Sequence, residues 1–397
     1  MEALTLIVIA GLLGPLISSF RRIAIPIVIG EILGGILLGP AVLDLVSIHD
    51  PVVDVLHKAG FAVLMFTVGM HLPLKDKSLR AQARPGLLAA LATFAVGAGV
   101  GYAIALLTHF HHPLVIVLLV ANSSAALAIP VIRSTPNQDS PATTKVILWI
   151  MLTDLLAVFA LPLVGGTHPL PEVILGSLAV TAAAWLSFAA LRRLGRTSWW
   201  KNIQEESINL GWGWTLRICL VLLFSLTWLA AASGTSALVA GFAVGVAVSA
   251  VGANDRLLAE IIGIGEGFFI PAFFVALGTT LNPESLTKPA TLYLTALLSL
   301  GAILVHQAGA LLLRVNWRNG LVATAALGVP AAVVTLGVSG HWLSPSQADA
   351  VMASALVSIG ICSLGAALLP GAASLKDRGS LTSGLLPPLP APKEQQQ

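Results

Sequence analysis

The sequence has few charged residues, few aromatic residues and only two cysteines. Asp, Glu, Lys and Arg make up 10% of its 397 residues, whereas a soluble globular protein has roughly 25%. Hydrophobic residues make up 56%, and the mean hydropathy is +0.91. This composition excludes an ordinary soluble domain and indicates a polytopic membrane protein. With aromatic residues at only 6%, small and aliphatic residues must do most of the packing, which suits close helix contacts in lipid.

Several functional motifs are also missing. Cys219 and Cys362 lie in separate apolar runs, without the spacing of a zinc site or a disulfide framework. No G-x-x-x-x-G-K-[ST] motif supports ATP-driven pumping, and neither G-x-S-x-G nor H-E-x-x-H supports an intramembrane hydrolase. We therefore expect no enzymatic activity, no cofactor and no nucleic-acid partner.

Long apolar runs predict thirteen transmembrane helices, because about 20 such residues cross a bilayer. With these spans, 19 of the 21 Lys and Arg residues fall on one side of the membrane, all except Lys58 and Lys288. The positive-inside rule makes that side the cytoplasm, with the N-terminus outside and the C-terminus inside. The spans lie at roughly 3–20, 24–43, 55–73, 86–108, 113–133, 144–165, 170–191, 212–232, 235–251, 257–279, 289–313, 319–340 and 347–370.

These spans predict an all-α integral membrane protein, expected in a bacterial plasma membrane, with a membrane domain at 1–370. Residues 371–397 are rich in Pro, Ser and Gly, which predicts a disordered cytoplasmic tail. An odd span in the middle suggests two halves, spans 1–6 and 8–13, with span 7 as a linker. A seven-span offset reverses direction, so the halves would be inverted repeats, a common plan for secondary transporters.

Span 5 and its counterpart, span 12, are both interrupted in sequence. Span 5 contains Asn122, Ser123, Ser124 and Pro130 where a continuous lipid-facing helix would have apolar residues. Span 12 contains Gly328-Val329-Pro330 near its middle. Proline alone is compatible with a simple kink, but transporter sites use broken helices at corresponding positions in the two halves. The pattern therefore predicts two crossed discontinuous helices.

Asp154 lies near the middle of the apolar stretch "ILWIMLTDLLAVFALPLV" in span 6. A central Asp costs about 2.5–3.5 kcal/mol on insertion scales, so such a residue indicates an ion pathway unless a neighbouring hydroxyl satisfies it structurally. One carboxylate can bind either a proton or a cation, and that competition couples the two fluxes. The hydroxyls of Thr153, Ser123 and Ser124 and the amide of Asn122 are candidate partners at the same site; hard oxygen ligands suit Na⁺, Li⁺ or K⁺.

Two further titratable residues lie within spans. His306 in span 11 either accepts a structural hydrogen bond or titrates as a partner of Asp154. Glu31 in span 2 follows Gly30 in a glycine-rich helix, which favours a close-packed or protomer-interface role over a role in transport. His306 and Glu31 are therefore both candidates for a role in coupling or proton relay.

Four segments together resemble the cation:proton antiporter-2 family, which contains Kef-type potassium and Nap-type sodium/proton antiporters. They are "IAIPIVIGEILGGILLGPAVL", "GFAVLMFTVGMHLPL", "SALVAGFAVGVAVS" and "GFFIPAFFVALGTTLN". The resemblance covers roughly 5–370 in the same order. It implies the sodium/proton antiporter fold, a homodimer, and a core domain with crossed helices that moves like an elevator against a dimer domain. Asp154 matches the family's ion-binding aspartate.

The sequence departs from the family at three places. Thr153 replaces the Asp, Asn or Gln that precedes the family's aspartate, and His306 replaces the Lys of electrogenic members. The region from Gly328 onwards has no Arg-Gly-Glu. These departures predict electroneutral exchange of one proton for one monovalent cation. The alternatives are a carrier of the same architecture for another solute, such as an organic ion, or a channel-like or sensor protein.

Overall fold

The computed structural model describes residues 1–19, 27–70, 82–133, 140–165, 169–233, 237–251 and 255–369. Within these ranges the chain is helical. The α-helices are α1 (Glu2–Gly11), α2 (Leu13–Ser18), α3 (Ile27–Leu38), α4 (Pro51–Met70), α5 (Ala83–Thr108), α6 (Pro113–Ala121), α7 (Ala125–Arg133), α8 (Pro141–Gly165), α9 (Leu170–Leu194), α10 (Ser198–Leu210), α11 (Trp214–Ala232), α12 (Ala237–Val251), α13 (Asp255–Ile264), α14 (Ile270–Gly278), α15 (Pro289–Leu312), α16 (Trp317–Ala323), α17 (Gly328–Ser339) and α18 (Pro345–Leu368).

Nine helical stretches in the described ranges are long and apolar enough to cross a membrane. Three shorter apolar stretches, Glu2–Ser18, Ile27–Leu38 and Ala237–Ala250, overlap the predicted spans 1, 2 and 9. The predicted span 5 is divided between α6 and α7. The all-helical membrane architecture is therefore confirmed, whereas the number thirteen, the inverted repeats and the domain limits stay predictions. The predicted tail, 371–397, lies outside the described residues.

The helices form two packed groups. The first, which we call the site body, contains α5–α8 and α15–α18, with α5 packed on α6, α8 and α15, and α18 packed on α15, α16 and α17. The second, the outer body, contains α1–α4, α9 and α11–α14, with α4 packed on α12 and α14. Buried side chains of α4, α12 and α14, among them Met65, Phe242 and Phe273, join the apolar core of the site body.

Glycines allow the backbones of α3 and α14 to touch. A Cβ atom at Gly35 would collide with the carbonyl oxygen of Val275, and one at Gly278 would collide with that of Ile32. Small residues at such contacts are typical of helix pairs in lipid, where close van der Waals packing drives association. The glycine-rich sequence around Glu31 therefore has a packing role in the outer body.

Two local features differ from the sequence-based expectations. Residues 192–211, expected to be a loop, contain the helix α10. The predicted span 10 is a continuous helical rod, but Gly265–Phe269 winds as a π-helix between α13 and α14. Such wide turns occur as single insertions within α-helices, and glycines in this stretch make the wider winding easier.

Candidate functional site

Two unwound segments face each other at the centre of the site body. The first, residues 122–124, separates α6 from α7, and the second, residues 324–327, separates α16 from α17. The Ser124 N–H donates to the carbonyl oxygen of Ala325 at 2.5 Å. The Ser123 hydroxyl lies 2.6 Å from the carbonyl oxygen of Ala323, a residue 200 positions away. Two interruptions that are distant in sequence therefore form one hydrogen-bonded crossing.

The positions of the prolines correct one detail of the prediction. The second break precedes Gly328, and Pro330 lies in the first turn of α17. A proline is tolerated there because the N–H groups of the first turn have no partner within the helix. Pro130 lies within α7, beyond the first break. The glycine and prolines thus mark the helices that follow the breaks, and Asn122, Ser123 and Ser124 form the first break itself.

Asp154 reaches this crossing from α8. Its side chain is buried, and its Oδ2 accepts a hydrogen bond of 2.9 Å from the Ala125 N–H. Ala125 is the first residue of α7, which has nine residues. The free N–H groups and the dipole of a helix N-terminus stabilise a negative charge. The site therefore supports a carboxylate that has no ion pair among the described residues.

His306 lies beside the same crossing and is completely buried. Its Nδ1 is 2.8 Å from the Ala302 carbonyl oxygen, which can only accept, so Nδ1 carries a proton. Its Nε2 is 3.0 Å from the Ser123 hydroxyl. That hydroxyl has one proton for two acceptors, Nε2 and the Ala323 oxygen, when the imidazole is neutral. If Nε2 is also protonated, it donates to Ser123, and both contacts are satisfied. The Ser123 hydroxyl is thus oriented by the charge of His306.

Asn122 and Thr153 differ in how their polar atoms are used. The amide of Asn122 is buried, and neither its oxygen nor its nitrogen has a hydrogen-bond partner in the described part of the chain. The Thr153 hydroxyl donates within α8, to the carbonyl oxygens of Ile150 (2.9 Å) and Trp149 (3.1 Å). The Asn122 amide can therefore bind a ligand at the break with either its oxygen or its nitrogen. Thr153 can offer a ligand only the lone pairs of its hydroxyl oxygen.

Two supports of the site were missed by sequence reasoning. Trp149 donates from Nε1 to Thr93 at 2.9 Å, and its ring centroid lies 5.8 Å from that of His306. Ser358, on α18, accepts from the Ala326 N–H at 3.1 Å, so it binds the backbone of the second break. A serine in the apolar run "ALVSIGICSL" was the available signal for Ser358; no motif pointed to Trp149.

Glu31 is not brought to the crossing. It is buried on α3, where its Cγ packs close to Gly14 of α2, and its Oε2 has no hydrogen-bond partner among the described residues. In the described ranges no hydrogen bond or ion pair joins it to Asp154. Its possible relay role stays a prediction.

The ligands that the crossing offers are hard oxygen atoms: one carboxylate, the serine and threonine hydroxyls, the Asn122 amide oxygen and the opened backbone carbonyls. Such ligands suit cations of the alkali type. No cluster of three or more His, Cys, Asp or Glu side chains suited to a transition metal occurs in the ranges that the structure covers. The arrangement can hold a proton or a small cation at Asp154 and can change its hydrogen bonds through Ser123.

Comparisons with known proteins agree with this chemistry. The model of the family "sodium/hydrogen exchanger, transmembrane" matches residues 6–369. The YjbQ protein of Bacillus subtilis is 23% identical over 377 residues, and the chain spans 61% of its length while 90% of the chain is covered. The Na⁺/H⁺ antiporter of Enterococcus hirae is 26% identical over 316 residues, which cover 77% of this chain and 79% of that protein.

A solved structure has the same fold. The sodium proton antiporter MjNhaP1 from Methanocaldococcus jannaschii, solved at pH 8, superposes with a TM-score of 0.59 at 16% identity, covering 97% of this chain and 99% of that one. The members of this family are transporters and not enzymes. Since the family model spans nearly the whole described membrane region, the chain belongs to the transmembrane sodium/hydrogen exchanger family, the monovalent cation:proton antiporters.

Proposed function

We propose that this protein is a secondary antiporter that exchanges a monovalent cation, Na⁺ or K⁺, for protons at Asp154. The observation that carries the proposal is the position of the buried Asp154 carboxylate, bonded to the N-terminus of α7 at the crossing of the two breaks. A proton and a cation compete for this carboxylate. Asn122, Ser123, Ser124 and Thr153 supply further ligands.

The two packed groups of helices support an elevator mechanism. In this proposal the site body corresponds to the core domain and moves against the outer body, which also forms a homodimer. Buried apolar side chains such as Met65 and Phe273 lie between the two groups. No ion pair joins the groups among the described residues, so the contact between them is not fixed by paired charges. Thirteen spans, inverted halves, an outside N-terminus and a cytoplasmic C-terminus complete the proposed topology.

One-for-one exchange follows if His306 stays neutral. The crossing then has a single acidic group, and a cation or a proton neutralises it equally. The hydrogen bonds of His306 allow both charge states, because Ser123 can donate to Nε2 or accept from it. A His306 that released a proton on each cycle would raise the stoichiometry to two protons per cation, and transport would then move net charge.

The second candidate is exchange of an organic cation by the same architecture. The observation in its favour is the absence of charged side chains from residues 324–332, which leaves the second break with backbone ligands and uncharged side chains. A site of this kind is less restricted to small ions. Competition by organic cations in the assay described next separates the two candidates.

The test is a proteoliposome assay in which an outward or inward gradient of Na⁺, K⁺ or Li⁺ drives a change of lumenal pH. We expect Asp154→Asn to abolish the cation-driven signal, because an amide cannot exchange a proton for a cation. The matched control is Asp349→Asn, the same chemical change at another buried aspartate. Asp349 lies in the first turns of α18 and accepts hydrogen bonds from the Ser285 hydroxyl and from the Asn282 N–H. We expect the Asp349→Asn variant to keep transport.

Cation-driven pH change that persists in Asp154→Asn would overturn the proposal. Electroneutrality is tested in the same vesicles at two imposed membrane voltages with fixed ion gradients. We expect equal rates for the wild type. A steep voltage dependence that disappears in His306→Gln would instead assign a second transported proton to His306.

A further inference from the structure

The helix α10 connects two membrane helices at one surface of the membrane. α9 ends at Leu194 and α11 begins at Trp214, and both helices are long and apolar enough to cross a bilayer. Both also expose large apolar side chains, such as Leu186 at 70% and Trp228 at 72%. Because α9 and α11 pack against each other, the residues between them lie where these helices leave the lipid.

α10 has a defined position on the start of α11. The Thr197 hydroxyl caps its N-terminus by accepting from the Trp200 N–H at 3.3 Å. Trp200 is buried, with its ring centroid 6.0 Å from that of Trp214. The Ser207 hydroxyl accepts from the Trp214 N–H at 3.0 Å. Between the helices, Gly211 has φ +69°, a conformation in which a side chain would be strained. α10 is therefore a folded element of the surface.

Aromatic side chains are concentrated at this point. Four of the nine Trp residues of the chain lie within 199–214. Trp199 and Leu210 are each 58% exposed, and Trp212 is 44% exposed. Trp199 and Leu210 are eleven residues apart, about three helical turns, so they lie on the same side of α10. Exposed indole rings are typical of the headgroup region of a bilayer, where one end is apolar and the other is wet.

Positive charge accompanies these rings. Residues 192–217 contain five basic side chains and two acidic ones, a net charge of +3, which equals the formal charge of the entire chain. All five basic residues are exposed, and none forms an ion pair within the described ranges. They are Arg192, Arg193, Arg196, Lys201 and Arg217. We call these five residues, with Trp199 and Trp212, the α10 surface.

We propose that the α10 surface binds anionic phospholipid headgroups. The charge is complementary to phosphodiester groups, and the exposed Trp rings fit the level of the glycerol backbone. Arginine side chains also bind phosphate oxygens in a bidentate manner. The outer body is thereby held to the membrane surface through the α9–α10–α11 connection. This inference is independent of the ion that the protein transports.

The test compares the wild type with Arg193→Gln/Arg196→Gln in detergent micelles. Phosphatidylglycerol or phosphatidylcholine is added, and the midpoint of thermal unfolding and the number of retained lipids in native mass spectrometry are measured. We expect phosphatidylglycerol to stabilise the wild type far more than phosphatidylcholine does, and high salt to reduce the effect. The variant should bind about 30-fold more weakly, since each basic residue near an anionic surface contributes roughly fivefold to the affinity.

Two further variants make the outcome unambiguous. Arg84→Gln/Lys145→Gln removes two basic residues from elsewhere in the chain and should respond to phosphatidylglycerol like the wild type. Arg193→Lys/Arg196→Lys keeps the charge and should retain most of the response even if the glutamine variant is poorly folded. Inorganic phosphate alone should give no stabilisation. The proposal would be overturned if phosphatidylglycerol stabilised the Arg193→Gln/Arg196→Gln and Arg84→Gln/Lys145→Gln variants equally. It would also be overturned if the two lipids stabilised the wild type equally.

Discussion

The two helix breaks are joined by hydrogen bonds but differ in the groups that they present. The first break offers polar side chains: the free amide of Asn122 and the bridging hydroxyl of Ser123. The second offers mainly backbone: the first break contacts the carbonyl oxygen of Ala325 and that of Ala323, the last residue of α16. Its own hydroxyl, on Thr324, donates back to Leu321 in the preceding helical turn.

This difference separates two tasks. In the proposed function the first break binds and releases the ion, because the Asn122 amide has no hydrogen-bond partner among the described residues and the Ser123 hydroxyl can exchange partners. The second break presents backbone acceptors, and Ser358 on α18 forms hydrogen bonds with both the N–H and the carbonyl oxygen of Ala326. Substitutions in the first break should therefore change transport more than substitutions around the second break do.

Among substitutions in the two breaks, the largest effect is expected for Ser123→Ala, which removes a hydrogen bond between the breaks and the contact with His306. Each buried partner left without a hydrogen bond costs about 1–3 kcal/mol, so we expect the maximal exchange rate to fall at least about tenfold. Proteoliposome exchange rates check this. The matched control is Ser354→Ala, a buried serine whose hydroxyl bonds only to Val351 in its own helix; a comparable loss there would contradict the bridge.

The next largest effect is expected at Asn122, whose buried amide has no hydrogen-bond partner among the described residues. Asn122→Leu keeps the branched shape of the side chain in a larger residue and removes both buried polar atoms of that amide. We expect the apparent KM for the cation to rise about tenfold, whereas the free energy of unfolding should change little, because removal of the amide's desolvation penalty of about 1–3 kcal/mol offsets the cost of the added volume. Cation titrations and denaturant unfolding in detergent provide the two measurements.

Thr324→Val is the corresponding change in the second break. Because the Thr324 hydroxyl bonds only within its own helix, we expect less than about a twofold change of KM. If both variants raised KM equally, the second break would also supply side-chain ligands, and the division between the breaks would be wrong. If Asn122→Leu lost stability with an unchanged KM, the amide would be structural.

The smallest effect on transport is expected for Ser358→Ala. The Ala326 N–H would lose its acceptor, which costs about 1–3 kcal/mol of stability, while every ligand of the first break remains. Thermal unfolding should therefore detect the change more clearly than the exchange rate does. An exchange defect as large as that of Ser123→Ala, at unaltered stability, would show that the second break moves during transport.

Much of the site could be predicted because polar residues are conspicuous in apolar spans. Asp154 and the Asn122-Ser123-Ser124 run stood out for this reason, and the structure brings them together. The role of Ser358 could not be predicted. A hydroxyl in a membrane helix normally bonds to its own backbone, as that of Ser354 does, and nothing in the sequence distinguishes the one that also reaches a neighbouring segment.

The exact position of the second break could not be predicted from the sequence either. Gly328 and Pro330 suggest a break at their own positions, yet helix rules tolerate both residues in a first turn, and α17 begins there. α10 was missed because its polar composition and short length are those of a loop. Its helical form depends on burial of Trp200 against Trp214, a contact that becomes apparent only once α11 is placed.

The single buried carboxylate at the N-terminus of α7 also bears on leakage. With a proton or a monovalent cation bound, Asp154 is neutral, and the proposed movement of the site body carries no net charge at this position. With neither bound, an isolated negative charge would have to cross a medium of low polarity, at a cost of several kcal/mol. In the proposed mechanism this cost hinders movement of the site body while Asp154 binds neither a proton nor a cation. In the proposed exchange neither ion gradient would therefore run down alone, and the barrier that prevents this is the same burial that makes Asp154 costly.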